Sequence, residues 1–302
     1  MKRGFPVAIL SSLFLSTTAI FIRHLTQTYQ LPALILAFWR DIFVVLTILP
    51  ILLVVKPTLV KLHRRHFLYI FIYGFVLAAF NAFWSLSVAI NGAAVATVLV
   101  YCSAAFTAIL GFFLLNEKLN SIKILAILLS LTGCIFVAEA YDIKVWQSNL
   151  LGILVGVLAG LAYAIYSLMG RSASQRGIKP WTILLYTFAI ASIFLFFLNH
   201  IPFHNLFGAL KKTADFFWLG ENINGWLILF LLAAIPTVLG FGLYNVSLQF
   251  LPSSVANLIL TSEPVFTSLI AYFLLGERLT NPQIAGGLLV LSGVILLRIF
   301  ER

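Results

Sequence analysis

Asn81, Trp84, Ser85 and Val88 recur at i, i+3, i+4 and i+7, which places them on one face of an α-helix. Exactly the same spacing returns 160 residues later in Phe241, Tyr244, Asn245 and Leu248. An amide and an aromatic ring in each set offer hydrogen bonds and a stacking or cation-π surface, chemistry suited to a small polar organic molecule. The same two amides, Asn81 and Asn245, also suit a second role, bonding one helix to another inside an apolar bundle. A second stripe joins Asn257, Thr261, Pro264 and Ser268, matched by Thr97, Tyr101, Ala104 and Ala108. Pro264 cannot donate to the carbonyl of Leu260, so a kink with an unpaired acceptor is expected there, in a gating helix or a static one.

Charged groups inside apolar runs carry the strongest functional signal. Glu263 sits near the middle of such a run, where an ionised carboxylate costs at least about 2.5 kcal/mol. Six residues beyond Asn257 it falls about 120° off the polar stripe, which leaves two readings open: coupling or substrate contact at the cavity, and a buried structural carboxylate against a neighbouring helix. Arg40, between Trp39 and Asp41, is the candidate partner. It lies about two turns into its run, within snorkelling reach of the outer interface, and gate or substrate-carboxylate contact is the other reading. Tyr163, beyond Gly152, Gly156 and Gly160, is a further candidate cavity residue; the glycine stripe itself reads as close helix packing. His63 and His66 have ligand-like spacing, but the two intervening arginines repel a cation. No phosphate loop, dinucleotide fingerprint, nucleophile elbow or zinc motif occurs, so no cofactor and no metal is expected.

The elements that must position these groups are set by composition. With 62% hydrophobic and 9% charged residues in 302, the chain reads as an all-α polytopic membrane protein. The net charge of +10 is spread over loops between apolar runs, which argues for membrane topology and against nucleic acid as a partner. Cys102 and Cys134 fall inside apolar runs and behave as small hydrophobes. The basic start and apolar run of residues 1–19 imitate a signal peptide, and a retained first helix is expected.

Ten transmembrane helices are expected, near 5–24, 33–55, 67–89, 93–115, 121–139, 150–170, 180–199, 226–248, 253–275 and 282–299. Residues 200–225 form the one long loop, whose interleaved aromatic and charged residues suggest an interfacial helix, as a brace or as a lid. With both termini cytoplasmic, thirteen of the nineteen basic residues lie inside and six outside, which favours this orientation. Residues 94–120 and 254–280 are two copies of one segment: Val95-Ala96 match Val255-Ala256, Phe113-Leu114-Leu115 match Phe273-Leu274-Leu275, and Glu117 matches Glu277. The chain therefore reads as two repeats, 1–140 and 141–302, of five helices each. An odd number inverts the second repeat, the plan of secondary transporters with a midplane site between halves.

The tandem GFFLLNEKL (Gly111 to Leu119) and AYFLLGERL (Ala271 to Leu279), with Glu263-Pro264 and the repeat, resemble the EamA branch of the drug/metabolite transporter superfamily over nearly the whole chain. The resemblance implies a central cavity lined chiefly by the third, fourth, eighth and ninth helices, with help from the first and sixth. Ser103-Ala104 stands where the second copy has Glu263-Pro264, so any coupling role rests on one carboxylate. The expectation is a transporter of small polar, amino acid-like solutes in a plasma or bacterial inner membrane, exporting by family analogy, with the lipid bilayer as partner and protons as a candidate coupling ion. An intramembrane lipid-modifying enzyme, which would need clustered acids or histidines at one interface, and a passive channel, which would need a continuous polar pore, are the rivals.

Overall fold

The computed structural model describes residues 3–142, 150–200, 213–275 and 280–300, and among these every regular element is helical. The thirteen longer elements are α1 (Gly4–Ser16), α2 (Thr18–Thr28), α3 (Ala33–Val55), α4 (Phe67–Tyr101), α5 (Ser103–Leu115), α6 (Ser121–Val137), α7 (Leu150–Gln175), α8 (Pro180–His200), α9 (Ile223–Leu232), α10 (Val238–Ser247), α11 (Ser253–Leu260), α12 (Glu263–Leu275) and α13 (Asn281–Phe300). Helices satisfy every backbone polar group internally, which is what an apolar chain needs in lipid. Among the described residues, eight helical stretches are long and apolar enough to cross a membrane.

Several of the breaks expected from punctuation are finer than the sequence suggests, and side-chain hydroxyls hold them. The first run divides at Thr17, where Ser16 Oγ and Thr17 Oγ1 bond the carbonyls of Leu13 and Phe14 at 2.6 and 2.8 Å. Between α9 and α10 the residues Ala233–Thr237 form a π-helical turn around Pro236. Pro236 cannot serve the Leu232 carbonyl, and Thr237 Oγ1 takes it at 2.8 Å. At Pro264 the run divides at Thr261 and Ser262, whose hydroxyls turn back to Leu258 and Ile259 carbonyls at 2.6 and 2.7 Å.

The boundary expected near Asn91-Gly92 falls inside the helical segment Phe67–Tyr101, between the separate apolar stretches Arg64–Val88 and Val95–Leu115. Ser87 and Leu99 nevertheless both lie against Gly156 of α7. Twelve residues on a straight helix would separate them by about 18 Å, so the chain doubles back between them. The hairpin thus formed grips α7 along its length. Tyr69 Oη donates to the Met169 carbonyl at 2.7 Å, the rings of Phe80 and Tyr163 stack at 4.8 Å, and Gly160 lies against the carbonyls of Leu99 and Val100. The stripe of small residues on α7 does pack helices closely, as its spacing suggests.

α1 plays the matching part against α10, α11 and α12. Ser11 Oγ donates to the Gly240 carbonyl at 2.7 Å, Ser12 and Ser262 share a hydrogen bond of 3.0 Å, and Thr267 Oγ1 reaches the Ser16 carbonyl at 2.9 Å. α6 and α13 meet backbone to backbone: a Cβ on Gly133 would stand 2.6 Å from the Gly286 carbonyl, and one on Gly293 would stand 2.7 Å from the Ala126 carbonyl. Of the long loop, residues 201–212 lie outside the described residues, and with them Lys211 and Lys212 of the expected interfacial helix. Thr213–Phe217 forms a short 3-10 turn that packs inward, with Phe216 buried and its carbonyl accepting from Trp39 Nε1 at 2.6 Å.

Candidate functional site

A cavity opens where α1 and α2, the α4 hairpin, α3, α7, α10 and α12 converge. It is lined by Leu15, Thr18, Arg40, Phe80, Trp84, Thr97, Val100, Tyr101, Tyr163, Phe241 and Glu263. Its space for water-sized molecules is about 70 Å³, a cleft a few waters wide. One carboxylate and one guanidinium share walls that are otherwise mostly aromatic.

Glu263 enters this wall because of the division at Thr261 and Ser262. A count of 100° per residue from Asn257 points Glu263 at a neighbouring helix, but the count runs through a break in the helix and the phase is lost there. The carboxylate lines the cavity, with Oε2 accepting from Tyr101 Oη at 2.7 Å. Tyr101 is the last residue of α4, so the pair ties the α4 hairpin to α12.

Arg40 departs from the expected snorkelling geometry: it is 4% exposed and turns inward to the cavity. Its partner is the adjacent Asp41, which accepts from Nε and Nη2 at 3.4 Å each. Asp41 is anchored in turn by Asn81 Nδ2 at 2.7 Å. Burial is tolerated because each charge has an opposite charge or an amide beside it; a solvated head group would leave Asp41 unpaired inside the protein. The pairing of Arg40 with Glu263 is not made as a salt bridge; the two groups face one cavity from different helices.

The remaining predicted residues divide into two groups. Trp84, Tyr101 and Tyr163 reach the cavity, and Trp84 also borders a second space of about 280 Å³ that it shares with Ser85 and Val88, beside Leu31 and Pro32. Asn81, Tyr244, Asn245, Asn257 and Thr261 face other protein groups. Tyr244 Oη and Asn257 Nδ2 both donate to Ser167 Oγ, at 2.6 and 3.0 Å, while Asn257 Oδ1 accepts from Ser103 Oγ at 3.0 Å. Asn245 Nδ2 donates to Tyr166 Oη at 3.2 Å. These bonds form a polar layer one to two turns of α11 away from Glu263. Pro264 stands in the first turn of α12, where its missing N–H is harmless.

A third layer lies at the start of α11. Glu117, just past α5, accepts from Ser253 N and Oγ through Oε1 at 2.6 Å each, and from Ser254 N at 3.1 Å and Ser254 Oγ through Oε2. Lys123 Nζ joins it, donating to Ser254 Oγ at 3.2 Å and to the Lys118 carbonyl at 2.5 Å. Asn116 turns the chain into this position with φ of 52°, and Gly111 leaves room for the carboxylate, since a Cβ there would stand 3.0 Å from Oε2. A carboxylate on a helix N-terminus answers free N–H groups and the positive end of the dipole together. The sequence marked Glu117 only through its match with Glu277, and Glu277 lies outside the described residues. Thr97, the repeat mate of Asn257 in the second stripe, does reach the cavity, whereas Thr18, Phe80 and Ser167 carried no sequence signal, being small or apolar residues within apolar runs.

Comparison with known proteins gives a consistent picture. The model of the EamA-like transporter family matches residues 2–138 and again 150–299. An uncharacterized transporter of Archaeoglobus fulgidus is 26% identical over 98% of this chain and 96% of its own. A probable amino-acid metabolite efflux pump of Salmonella typhimurium is 27% identical over 68% of this chain and 67% of its own. A solved crystal structure covering 100% of this chain and 99% of its own has a TM-score of 0.77 at 15% identity, which speaks for the fold alone.

Proposed function

The chain belongs to the EamA-like transporter family, and from that premise we propose that it is a secondary transporter that carries small polar, amino acid-like solutes by alternating access. Export is the proposed direction, in line with the efflux pump among its relatives. The observation that carries the reading is the cavity itself, where Arg40 and Glu263 stand in one mostly aromatic wall built from residues on both sides of position 140. A zwitterion presents one charge to each. Trp84, Tyr101, Tyr163 and the two charged groups are the proposed substrate contacts, and Thr18 Oγ1, buried in the same wall without a protein partner, is a further one. The layer of Asn257, Tyr244 and Ser167 and the Glu117 cap close the path on the side of α11's N-terminus.

We read the architecture as ten crossings, counting α6 and the pair α11–α12 with the eight long stretches, in two inverted repeats divided near 140. Exchange of equivalent contacts supports this reading. Gly133 against Gly286 and Gly293 against Ala126 are the same pair after a shift of 160 residues. α7 sits in the α4 hairpin as α1 sits against α10 to α12. With both termini in the cytoplasm, the Trp84 space lies outward and the Glu117 cap inward, the arrangement of a carrier held shut on its inner face. A plasma or bacterial inner membrane is the proposed location, and Glu263 the proposed proton site if transport is proton-coupled.

Uptake into liposomes tests the reading, with amino acids, amines and nucleosides offered in turn, with and without a proton gradient. Saturable uptake of an amino acid that Arg40→Gln and Glu263→Gln each weaken supports it. Uptake of none of the three classes, or uptake that both variants leave unchanged, removes the cavity as the site.

A further inference from the structure

The loops at the ends of α3, α7 and α10 enclose a second cleft, apart from the central cavity, with space of about 690 Å³ for water-sized molecules. Lys56, Lys61, Arg65, Arg176 and Lys179 line it with His63 and His66, and among the described residues no acidic one does. The positive-inside tendency accounts for basic residues in such loops but not for their convergence on one concavity. Two of the cations are engaged: Arg176 lies over the Tyr69 ring at 4.6 Å and Arg65 Nε donates to His66 Nε2 at 3.0 Å. Among the described residues, no hydrogen bond or ion pair holds the ammonium groups of Lys56, Lys61 and Lys179.

The cleft is built and not merely a mobile charged loop. Thr182 Oγ1 donates to the Leu59 carbonyl at 2.7 Å and Tyr186 Oη to the Val60 carbonyl at 2.6 Å, so α8 fixes the segment that carries the cations. Immediately beside it, Val54, Val55, Phe67 and Leu68 are exposed apolar side chains at the ends of α3 and α4. In a membrane this is a lip of acyl-chain depth below a basic cleft of headgroup depth, and basic recesses between helix ends take the head groups of anionic lipids.

We propose that this cleft binds a phosphate-bearing anion through Lys56, Lys61 and Lys179, and that the phosphate is the head group of an anionic membrane lipid whose chains lie on the adjoining apolar lip. The cleft is lined from both sides of position 140, by the α3–α4 connection and by the α7–α8 connection with Gln249. A bound lipid thus bridges the two parts at one face. The assignment stands independently of the transported solute.

Native mass spectrometry of the detergent-purified full chain tests it, with phosphatidylglycerol, phosphatidylcholine of the same acyl chains, and inorganic phosphate as probes. The triple variant Lys56→Gln/Lys61→Gln/Lys179→Gln is compared with a control of equal charge, Arg3→Gln/Lys118→Gln/Arg298→Gln. The wild type and the control should prefer phosphatidylglycerol to phosphatidylcholine, and the cleft variant should lose that preference by a factor on the order of 100, for three basic residues at about 1 kcal/mol each. Inorganic phosphate binding that only the cleft variant loses, without a lipid preference, keeps the phosphate site and overturns the lipid assignment. Equal losses in both variants, or no binding of either probe, overturn the site.

Discussion

Removing the Glu117 side chain separates α11 from the loop after α5 without touching the cavity. Four donors converge on this carboxylate, two of them the backbone N–H groups of Ser253 and Ser254. The hydroxyls can turn to other acceptors, so the lasting loss is two N–H groups at a helix start together with the favourable charge on its dipole. At about 1 to 1.5 kcal/mol for each, with up to about 1 kcal/mol for the charge, Glu117→Ala should cost about 3 kcal/mol. Glu117→Gln keeps the shape and one good acceptor and should cost about half as much. If the cap holds one face shut, that energy shifts the balance toward opening at this face by a factor on the order of 100 for the alanine variant. The assay is alkylation of a single cysteine, Ser167→Cys, in a background with Cys102→Ala and Cys134→Ala. Ser167 is fully buried in the layer above the cap. A membrane-impermeant maleimide supplied from the Glu117 face should label it faster in the order wild type, glutamine, alanine, with melting temperature recorded in parallel. Unchanged labelling together with an unchanged melting temperature would refute the reasoning, and a lowered melting temperature with unchanged labelling would leave a cap that does not close a path.

Tyr101→Phe removes the 2.7 Å bond to Glu263 and should weaken transport by about 1 to 2 kcal/mol in kcat/KM while the protein stays folded, as measured by initial rates beside a melting curve. Asp41→Ala leaves Arg40 buried without its carboxylate and should lower stability by about 3 kcal/mol or more, whereas Asp41→Asn, which keeps a hydrogen-bonding side chain, should cost less; thermal unfolding in detergent separates the two. Gly133→Val should reduce folded yield on size exclusion more than Gly287→Val, because Gly133 abuts backbone atoms of α13 whereas a Cβ on Gly287 would find its nearest neighbour at 3.5 Å.

Hydropathy made the helical runs legible: α3, α8 and α13 begin and end within about two residues of the expected limits. Pro264 marked where a helix yields, because a missing donor is a local property of the chain, but the turn at Pro236 falls inside an expected continuous helix and Pro50 leaves α3 unbroken. Facing was less accessible. The phase of Glu263 depended on a break whose twist is set by Thr261 and Ser262, and the burial of Arg40 depended on Asn81 reaching Asp41 from a different helix. Asn257 and Asn245 are polar residues on predicted faces, yet their partners Ser103, Ser167 and Tyr166 come from distant parts of the chain and outcompete the cavity for them. Glu117 was visible as a match between the two copies, but its role required knowing that α11 starts beside it.

The meeting of α6 and α13 has a mechanical meaning. Most helix pairs are separated by side chains, a compliant layer whose rotamers let one surface slide over another. Gly133, Gly286 and Gly293 remove that layer, and carbonyl oxygens and α-carbons bear directly on each other across the seam. Such a seam resists sliding along its length far more than rotation about the point of closest approach. It can therefore serve as a fulcrum, with displacement growing with distance from it. A small angular change that leaves α6 and α13 in register would move the helix ends farthest from the seam through the largest arcs.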